Sequence, residues 1–253
     1  MADAPPVPDH GASRPVSAQT VLRLLQDGAL ALEGLLPYGS NYTFLVRVSR
    51  ADQTAYGVYK PIAGERPLWD FPENTLAYRE VAAYRVSEAL GWRLVPPTVF
   101  RGDGPHGPGS LQYFIRAQPE FHYFNLEEAD RPHLRRVALF DVLINNADRK
   151  GGHVLKDLAG QLWLIDHGLG FNTQPKLRTV IWDFAGEPIE PALLADIERF
   201  RARLDEAADL PAMFADLLDP PELAALRRRA DKLLTARRYP EPGSGRSYPW
   251  PPV

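Results

Sequence analysis

Runs of alternating apolar and polar residues dominate the first half of the chain, and apolar residues at helical intervals dominate the second half. Successive side chains of a strand point to opposite faces, whereas positions three or four apart share a face of a helix. The two patterns therefore predict different elements. Strands are expected over residues 44–49, 54–61, 94–100 and 110–116. Helices are expected over residues 17–28, 74–91, 127–145, 191–208 and 220–237.

The segment 139–171 contains the densest group of chemically active residues. A short apolar helix leads into a polar loop, and two strands joined by a turn at 157–160 follow. Asp148 in the loop and Asp166 after the second strand therefore lie at the two ends of one hairpin. His153 stands at the start of its first strand. These three side chains are candidates for metal binding or proton transfer.

A small polar turn precedes the predicted strands that lead to Lys60. Backbone N–H groups of Gly39, Ser40 and Asn41 are able to cover phosphate groups there, and a lysine meets phosphate as a point charge. The turn has fewer glycines than the motif G-x-G-x-x-G. An ordinary turn followed by a surface lysine therefore remains an alternative interpretation.

The predicted helix 74–91 strengthens the interpretation of Lys60. Glu80 lies 20 residues after Lys60 and one turn before Tyr84, on or beside the apolar face of this helix. A glutamate held there is able to pair with a strand lysine and to orient it toward phosphate. The alternative is that Glu80 belongs to a solvated helix face.

Composition narrows the class of protein. The formal charge of -3 and a pI near 6.1 provide no basic field for phosphates, so no nucleic-acid partner is expected. The lack of cysteine excludes disulfides and thiolate metal sites. The N-terminus has no apolar run typical of a signal peptide, and no stretch approaches the ~20 apolar residues of a membrane helix. A cytoplasmic protein without a membrane span is expected.

Four segments are predicted along the chain. Residues 1–17 and 240–253 are rich in proline and are expected to be disordered. Residues 18–116 carry the predicted sheet and form a first lobe, and residues 117–239 form a second lobe that contains the hairpin. Within the second lobe, the irregular stretch 172–191 has the length of an activation or substrate loop.

The loop and hairpin resemble the catalytic segment of kinases. In that segment an Asp orients the attacking hydroxyl, an Asn five residues later holds a metal, and an Asp before Gly holds the bridging metal. Asp148 and Lys150 match the pattern D-x-K-x-x-N, His153 replaces its Asn, and residues 166–168 (Asp-His-Gly) stand where Asp-Phe-Gly would. Asp148 and Arg149 also resemble the D-R-x-x-x-N loop of phosphatidylinositol 3- and 4-kinases.

With these residues in place, the chain resembles the atypical kinases grouped with phosphatidylinositol 3- and 4-kinases and with HipA-type toxin kinases. It is most similar to an actinobacterial family labelled kinase-like. The resemblance covers about residues 35–205. It implies an α+β, bilobal protein-kinase-like fold, with a small antiparallel-sheet N-lobe carrying one helix, a mostly helical C-lobe, and ATP in the cleft.

The resemblance also implies a role for each candidate residue. Lys60 would meet the ATP phosphates, Glu80 would orient Lys60, Asp148 would orient the acceptor hydroxyl, and Asp166 would ligate the metal. Lys150 is placed to steady the moving phosphoryl group, and His153 is a candidate second metal ligand. Because Mg²⁺ prefers oxygen donors, the imidazole leaves Mg²⁺ and Mn²⁺ both open. The backbone from Ile115 to Gln118 would contact adenine.

The leading interpretation is therefore an ATP-dependent phosphotransferase that moves the γ-phosphate to a hydroxyl acceptor. The acceptor stays open between a protein, a lipid and a small molecule. A pseudokinase is the alternative, a nucleotide-responsive binding module whose His153 site no longer supports chemistry. A metal hydrolase that uses His153, Asp148 and Asp166 is a third interpretation.

Overall fold

The computed structural model describes residues 17–37, 41–205 and 209–253. Residues 1–16 of the predicted disordered segment 1–17, together with Gly39 and Ser40 of the predicted phosphate turn, lie outside the described residues. The chain separates into two compact units. Unit 1 comprises the described parts of Met1–Val81 together with Pro96–Arg116, and unit 2 comprises Ala82–Val95 and the described parts of Ala117–Val253.

Unit 1 is built on a five-stranded antiparallel sheet with the order β1-β2-β3-β5-β4. The strands are β1 (Ala29–Leu35), β2 (Phe44–Arg50), β3 (Gln53–Pro61), β4 (Thr98–Gly104) and β5 (Gly107–Tyr113). The sequence pattern indicated four of them and missed β1. This edge strand has no buried residue, so it lacks the alternation that marks a half-buried strand.

Helix α1 (Ala18–Asp27) covers one face of this sheet. The Ser17 hydroxyl caps it by accepting a hydrogen bond from the Thr20 N–H at 3.2 Å. The helix and the sheet enclose an apolar core made of Val21, Leu24, Leu25, Val46, Val48, Ala55, Tyr59, Val99 and Leu111. Because Tyr59 points into this core, its neighbour Lys60 points to the opposite face of β3.

Helix α2 (Leu76–Ala89) begins in unit 1 and continues into unit 2. Its first turns lie on the face of the sheet that carries Lys60. The Tyr78 ring stacks on Phe100 of β4 with centroids 4.5 Å apart, and Phe100 belongs to the same row across the sheet as Ser110 and Lys60. The two faces of the sheet therefore bury different helices.

Unit 2 is mostly helical. Besides the rest of α2, it contains α3 (Arg131–Ile144), the hairpin strands β6 (Val154–Lys156) and β7 (Leu162–Leu164), α4 (Pro191–Arg203), α5 (Leu210–Phe214) and α6 (Pro220–Ala236). Helix α6 packs against both α3 and α4. No helix in the described part of the chain is long and apolar enough to cross a membrane.

The C-terminal segment 240–253 differs from its prediction as a disordered tail. Ser247 and Pro249 are buried, and the main-chain oxygens of Ser247 and Pro252 accept hydrogen bonds from Thr179 and Gly151 of unit 2. A proline-rich segment has little apolar surface for a core of its own, which is why composition predicts disorder. Its carbonyl groups remain available to other segments of unit 2, and the N–H groups of Thr179 and Gly151 are the donors.

Candidate functional site

Two candidate residues of unit 1, Lys60 and Glu80, contact each other. The Lys60 amine forms an ion pair with the Glu80 carboxylate of α2, and the two side chains are 24% and 4% exposed. The sheet register directs Lys60 toward α2, and the helix delivers Glu80 from its buried side. The structure thus brings together the lysine and the glutamate that were paired from the sequence. Their contact with a nucleotide stays a prediction.

Glu65 caps the helix that carries Glu80, and the sequence analysis missed it. Its carboxylate accepts hydrogen bonds from the N–H groups of Leu76 at 3.2 Å and Ala77 at 2.9 Å, so it caps the start of α2. Burial raises the pKa of Glu65 and the charge of Glu80 adds to this rise, whereas the two N–H groups and Arg79 oppose it. A cap that comes from eleven residues away leaves no local pattern in the sequence.

Two further predicted contacts have defined surroundings in unit 1. The Asn41 side-chain oxygen accepts a hydrogen bond from the Arg66 N–H at 2.9 Å, which ties the described end of the predicted phosphate turn to the chain that follows β3. Ile115 is half-buried just after β5. Neither position is tested as a nucleotide contact, so both stay predictions.

An apolar cavity of about 300 Å³ opens at one end of the unit 1 sheet. It is lined by Leu35, Tyr42, Phe44, Pro61, Ala63, Gly64 and His106. Pro61 is the immediate neighbour of Lys60 in β3, so the two side chains belong to opposite faces. The cavity is therefore distinct from the Lys60–Glu80 pair.

In unit 2, Asp148 lies in the loop between α3 and the hairpin. Its N–H donates to the Asn146 side-chain oxygen at 3.1 Å, and the Lys150 amine lies 3.3 Å from its carboxylate. Burial raises the pKa of the Asp148 carboxyl, and the negative charge of Asp166 adds to this rise, whereas Lys150 and Arg149 lower it. A carboxyl with a raised pKa is better suited to accept a proton.

His153 and Asp166 contact each other at the mouth of the hairpin. The His153 Nε2 lies 3.3 Å from an Asp166 oxygen, and its Nδ1 accepts from the Lys150 N–H at 3.4 Å. The neutral imidazole therefore carries its proton on Nε2, toward Asp166. Within residues 17–37, 41–205 and 209–253, no group of three or more His, Cys, Asp or Glu side chains is arranged to hold a metal ion. The three candidates of the hairpin thus do not form a preassembled metal cage.

The backbone at Asp166 adopts the left-handed conformation, with φ of 60°. For a residue other than glycine, this conformation costs about 1–3 kcal/mol, and it occurs at helix ends and turns as well as at functional sites. The following residue, His167, is fully buried, and its ring packs edge-on against Phe140 at 5.7 Å. His167 thus fills an apolar position, while Asp166 stays about half exposed.

A buried ion pair holds the loop and the hairpin together. The Arg149 guanidinium contacts the Asp141 carboxylate of α3 at 3.0–3.1 Å and donates to the Ile165 carbonyl at 2.8 Å. Asn146 and Thr179 also donate to Asp141, at 3.0 and 3.4 Å. Arg149 directly follows Asp148 and bonds to Ile165, which directly precedes Asp166.

The sequence contained a signal for this network. Asp141 falls on the buried face of the helix 127–145, where a carboxylate is costly to bury unless it is paired. Arg149 was noted only as part of a motif. An acid on an apolar helix face beside a basic loop was the observation that could have found the pair.

Three comparisons place the chain among known proteins. No protein-family model matches it. It is 41% identical to Protein Rv2133c of Mycobacterium tuberculosis in an alignment 263 positions long. The match covers 90% of this chain and 94% of that protein. The chain belongs to the family of Protein Rv2133c.

Two solved structures show the fold of this Rv2133c family member. One is hydra Fam20 with sugar, with a TM-score of 0.52, 15% identity and 87% of each chain covered. The other is the Helicobacter pylori proinflammatory kinase CtkA, with a TM-score of 0.52, 10% identity, and 85% of this chain and 94% of that chain covered. The expected α+β kinase-like fold is confirmed. The narrower resemblance to phosphatidylinositol and HipA-type kinases stays a prediction.

Proposed function

We propose that this Rv2133c family member is an ATP-dependent phosphotransferase that delivers the γ-phosphate to a hydroxyl acceptor. The observation that supports it most is the Lys60–Glu80 ion pair within a kinase-like fold. A lysine fixed by a buried glutamate is oriented before a phosphate arrives. A metal hydrolase built on the hairpin would need no such lysine, so this pair disfavours that alternative.

Unit 2 supplies the groups for the acceptor. Asp148 accepts the proton of the attacking hydroxyl, a role that its raised pKa favours. Lys150, 3.3 Å from Asp148, offsets the negative charge of the phosphoryl group. Arg149 keeps both residues in place through its buried contact with Asp141.

Residues Asp166 and His153 fit a divalent cation only in part. Mg²⁺ keeps several waters and binds through one or two carboxylates plus substrate phosphates, so a lone half-exposed Asp166 suits it without a protein cage. His153 directs a protonated Nε2 at Asp166 and would have to lose that proton to ligate. When bound, the metal would neutralise charge on the phosphates. We propose Asp166 as the principal ligand.

The test combines nucleotide binding with phosphoryl transfer in the full-length chain. The protein is incubated with γ-labelled ATP, Mg²⁺ or Mn²⁺, and a cell extract, and one labelled product is expected. Asp148→Asn should lower turnover by about 10²–10⁴-fold while nucleotide affinity is retained. Lys60→Met should weaken nucleotide binding by about tenfold or more, since it removes a charged hydrogen bond to phosphate.

Two surface substitutions serve as matched controls. Lys232→Met and Asp52→Asn make the same chemical changes at exposed positions and should alter neither binding nor turnover. If Lys60→Met binds nucleotide as well as Lys232→Met does, the assignment of Lys60 is wrong. If Asp148→Asn keeps full phosphoryl transfer, the assignment of Asp148 is wrong.

A pseudokinase is the second candidate function, and the contact between His153 and Asp166 favours it. The imidazole proton engages an oxygen that the metal would use, which weakens the site for catalysis. Under this alternative, ATP stabilises the protein against heat without being consumed. The variant His153→Asn restores the oxygen donor of the kinase pattern and is then expected to gain turnover.

A further inference from the structure

The chain after α6 runs back along unit 2. Residues 237–239 pair with 186–189: the Tyr239 N–H donates to the Glu187 carbonyl at 3.0 Å, and the Ile189 N–H donates to the Arg237 carbonyl at 3.0 Å. The exposed stretch 241–246 follows. The C-terminal segment thus leaves α6 in a defined direction.

Ser247 is the first of two anchor residues that attach the C-terminal segment to the rest of unit 2. Its side chain is buried, and its hydroxyl donates to the Gly243 carbonyl at 3.1 Å. Its main-chain oxygen accepts two hydrogen bonds, from the Thr179 N–H at 3.1 Å and from the Trp182 indole at 3.2 Å. The tail makes this contact with main-chain groups, so the contact does not depend on the side chains that the segment carries.

The stretch 178–180 connects this anchor to the loop that carries Asp148. The Arg149 N–H donates to the Arg178 carbonyl at 2.9 Å, and the Val180 N–H donates to the Arg149 carbonyl at 3.1 Å. Thr179 lies between these two residues and binds the tail on its other edge. The stretch therefore lies between the tail and the loop and bonds to both.

Pro252 is the second anchor and touches the loop directly. Its carbonyl accepts a hydrogen bond from the Gly151 N–H at 2.8 Å, and the Phe124 ring also lies close to Gly151. Gly151 opens a short 3₁₀ turn, whose first N–H groups have no partner within the turn. The tail supplies that missing acceptor.

The loop depends on such support because of its own composition. Arg149 fixes its start through the ion pair with Asp141. Gly151 and Gly152 follow, and two adjacent glycines have more backbone freedom than any other pair. The contacts that restrain this part of the loop come from Pro252, Phe124 and the turn itself.

We infer that residues 243–252 are a positioning element for the loop 148–153, holding Asp148 and Lys150 in the arrangement that phosphoryl transfer requires. The role in phosphoryl transfer rests on the proposed function. The contact between the tail and the loop rests on the hydrogen bonds of Ser247 and Pro252. The tail itself touches neither substrate nor reacting atoms. It acts through Gly151 and the stretch 178–180.

The experiment removes the tail after the protein has folded. A protease site is inserted between Pro240 and Gly243, in an exposed stretch, and the tail is cut and washed away. Amide exchange of Gly151 and its loop neighbours is expected to accelerate by about tenfold or more, because local opening becomes easier. Turnover should fall by about tenfold or more with nucleotide affinity kept, since small misplacements of catalytic groups are costly. A synthetic peptide of residues 243–253 should restore both.

A milder variant guards against general unfolding. Trp182→Phe removes one donor to the Ser247 carbonyl and keeps the aromatic ring, whereas Trp92→Phe removes an indole bond to Asp196 elsewhere in unit 2. Only Trp182→Phe should accelerate exchange in the loop. Unchanged exchange after tail removal, or a rise in turnover, overturns the inference. If the uncut protein transfers no phosphate, the proposed function fails, and the exchange data alone decide the role of the tail.

Discussion

The Arg149 guanidinium and the Asp141 carboxylate form an ion pair in which neither side chain is exposed to solvent. This pair lies where four parts of the chain meet: the end of α3, the loop of Asp148, the residue before Asp166, and Thr179. The loop of Asp148 and the residue before Asp166 are therefore held through one buried contact. The pair costs desolvation energy, but removing one partner would leave the other charged and buried.

We expect Arg149→Met to lower the free energy of unfolding by about 3–5 kcal/mol, because it leaves the Asp141 carboxylate without its partner. The double variant Arg149→Met with Asp141→Leu should recover part of this loss by removing the second charge as well. Denaturation in urea, followed by tryptophan fluorescence, measures both. Arg131→Met is the matched control, since Arg131 is 52% exposed in its contact with Asp183 and should contribute about 0–1 kcal/mol. An equal loss in Arg149→Met and Arg131→Met would contradict the buried role of Arg149.

We expect Glu80→Gln to weaken nucleotide binding and to lower the stability of the protein by about 1–3 kcal/mol, because Lys60 loses a charged hydrogen-bond partner. Isothermal calorimetry and thermal unfolding measure the two effects. Glu88→Gln changes an exposed glutamate of the same helix and should have little effect on either quantity. Identical behaviour of the two variants would show that Glu80 does not orient Lys60.

The parts of the site that the sequence predicted are those whose partners follow a local period. Lys60 was placed by the two-residue repeat of β3, Glu80 by the helical repeat of α2, and Asp148 and Asp166 by one hairpin. Each pattern needs only neighbours within one or two elements. The kinase-like fold was implied by the resemblance to kinases that the motif residues of these elements carry.

The parts that escaped prediction depend on contacts between segments that are distant in the chain. Glu65 caps a helix from outside it, and Pro252 reaches Gly151 from the other end of unit 2. Strand β1 pairs along one edge and buries no side chain, so its composition carries no alternation. The main-chain hydrogen bonds of Pro252 and β1 are indifferent to side-chain type, so no residue pattern records them. The Glu65 carboxylate does depend on its side chain, but it acts on a helix that begins eleven residues later.

We expect Asp148→Asn to be more stable than the parent protein at about pH 7, because burial disfavours the charged form of the Asp148 carboxyl. Burial raises the pKa of Asp148 above its usual value of 3.8, so the folded protein binds this proton more tightly than the unfolded chain does. The free energy of unfolding of the parent therefore falls as the pH rises from the unfolded-state pKa of Asp148 through its higher folded-state pKa. The asparagine variant does not titrate, so it does not lose this stability. The gain should vanish at about pH 3, where both states are protonated. Thermal unfolding across this pH range measures it.

A carboxylate with structural partners supplies the control for this prediction. Asp157 accepts hydrogen bonds from the Ala159 and Gln161 N–H groups and from the Trp163 indole, each at 2.9 Å. Asp157→Asn should destabilise the protein, because an amide N–H₂ cannot replace the second acceptor oxygen. If Asp148→Asn also destabilises at neutral pH, Asp148 has a structural role instead.

We expect Gly151→Ala to destabilise the loop by about 1–3 kcal/mol, whereas Gly152→Ala is neutral or slightly stabilising. A Cβ on Gly151 would lie 2.7 Å from the Phe124 ring, but a Cβ on Gly152 meets nothing within 4 Å. The Phe124 side chain is half exposed and is able to swing outward, so the cost is an altered loop more than a lost fold. The double variant Gly151→Ala with Phe124→Ala should remove the overlap and recover part of the loss, but not all of it, because the Phe124 ring itself restrains the loop. Thermal unfolding and amide exchange of residues 148–153 measure these differences, and equal effects of the two single substitutions would show that the space around Gly151 is not what constrains the loop.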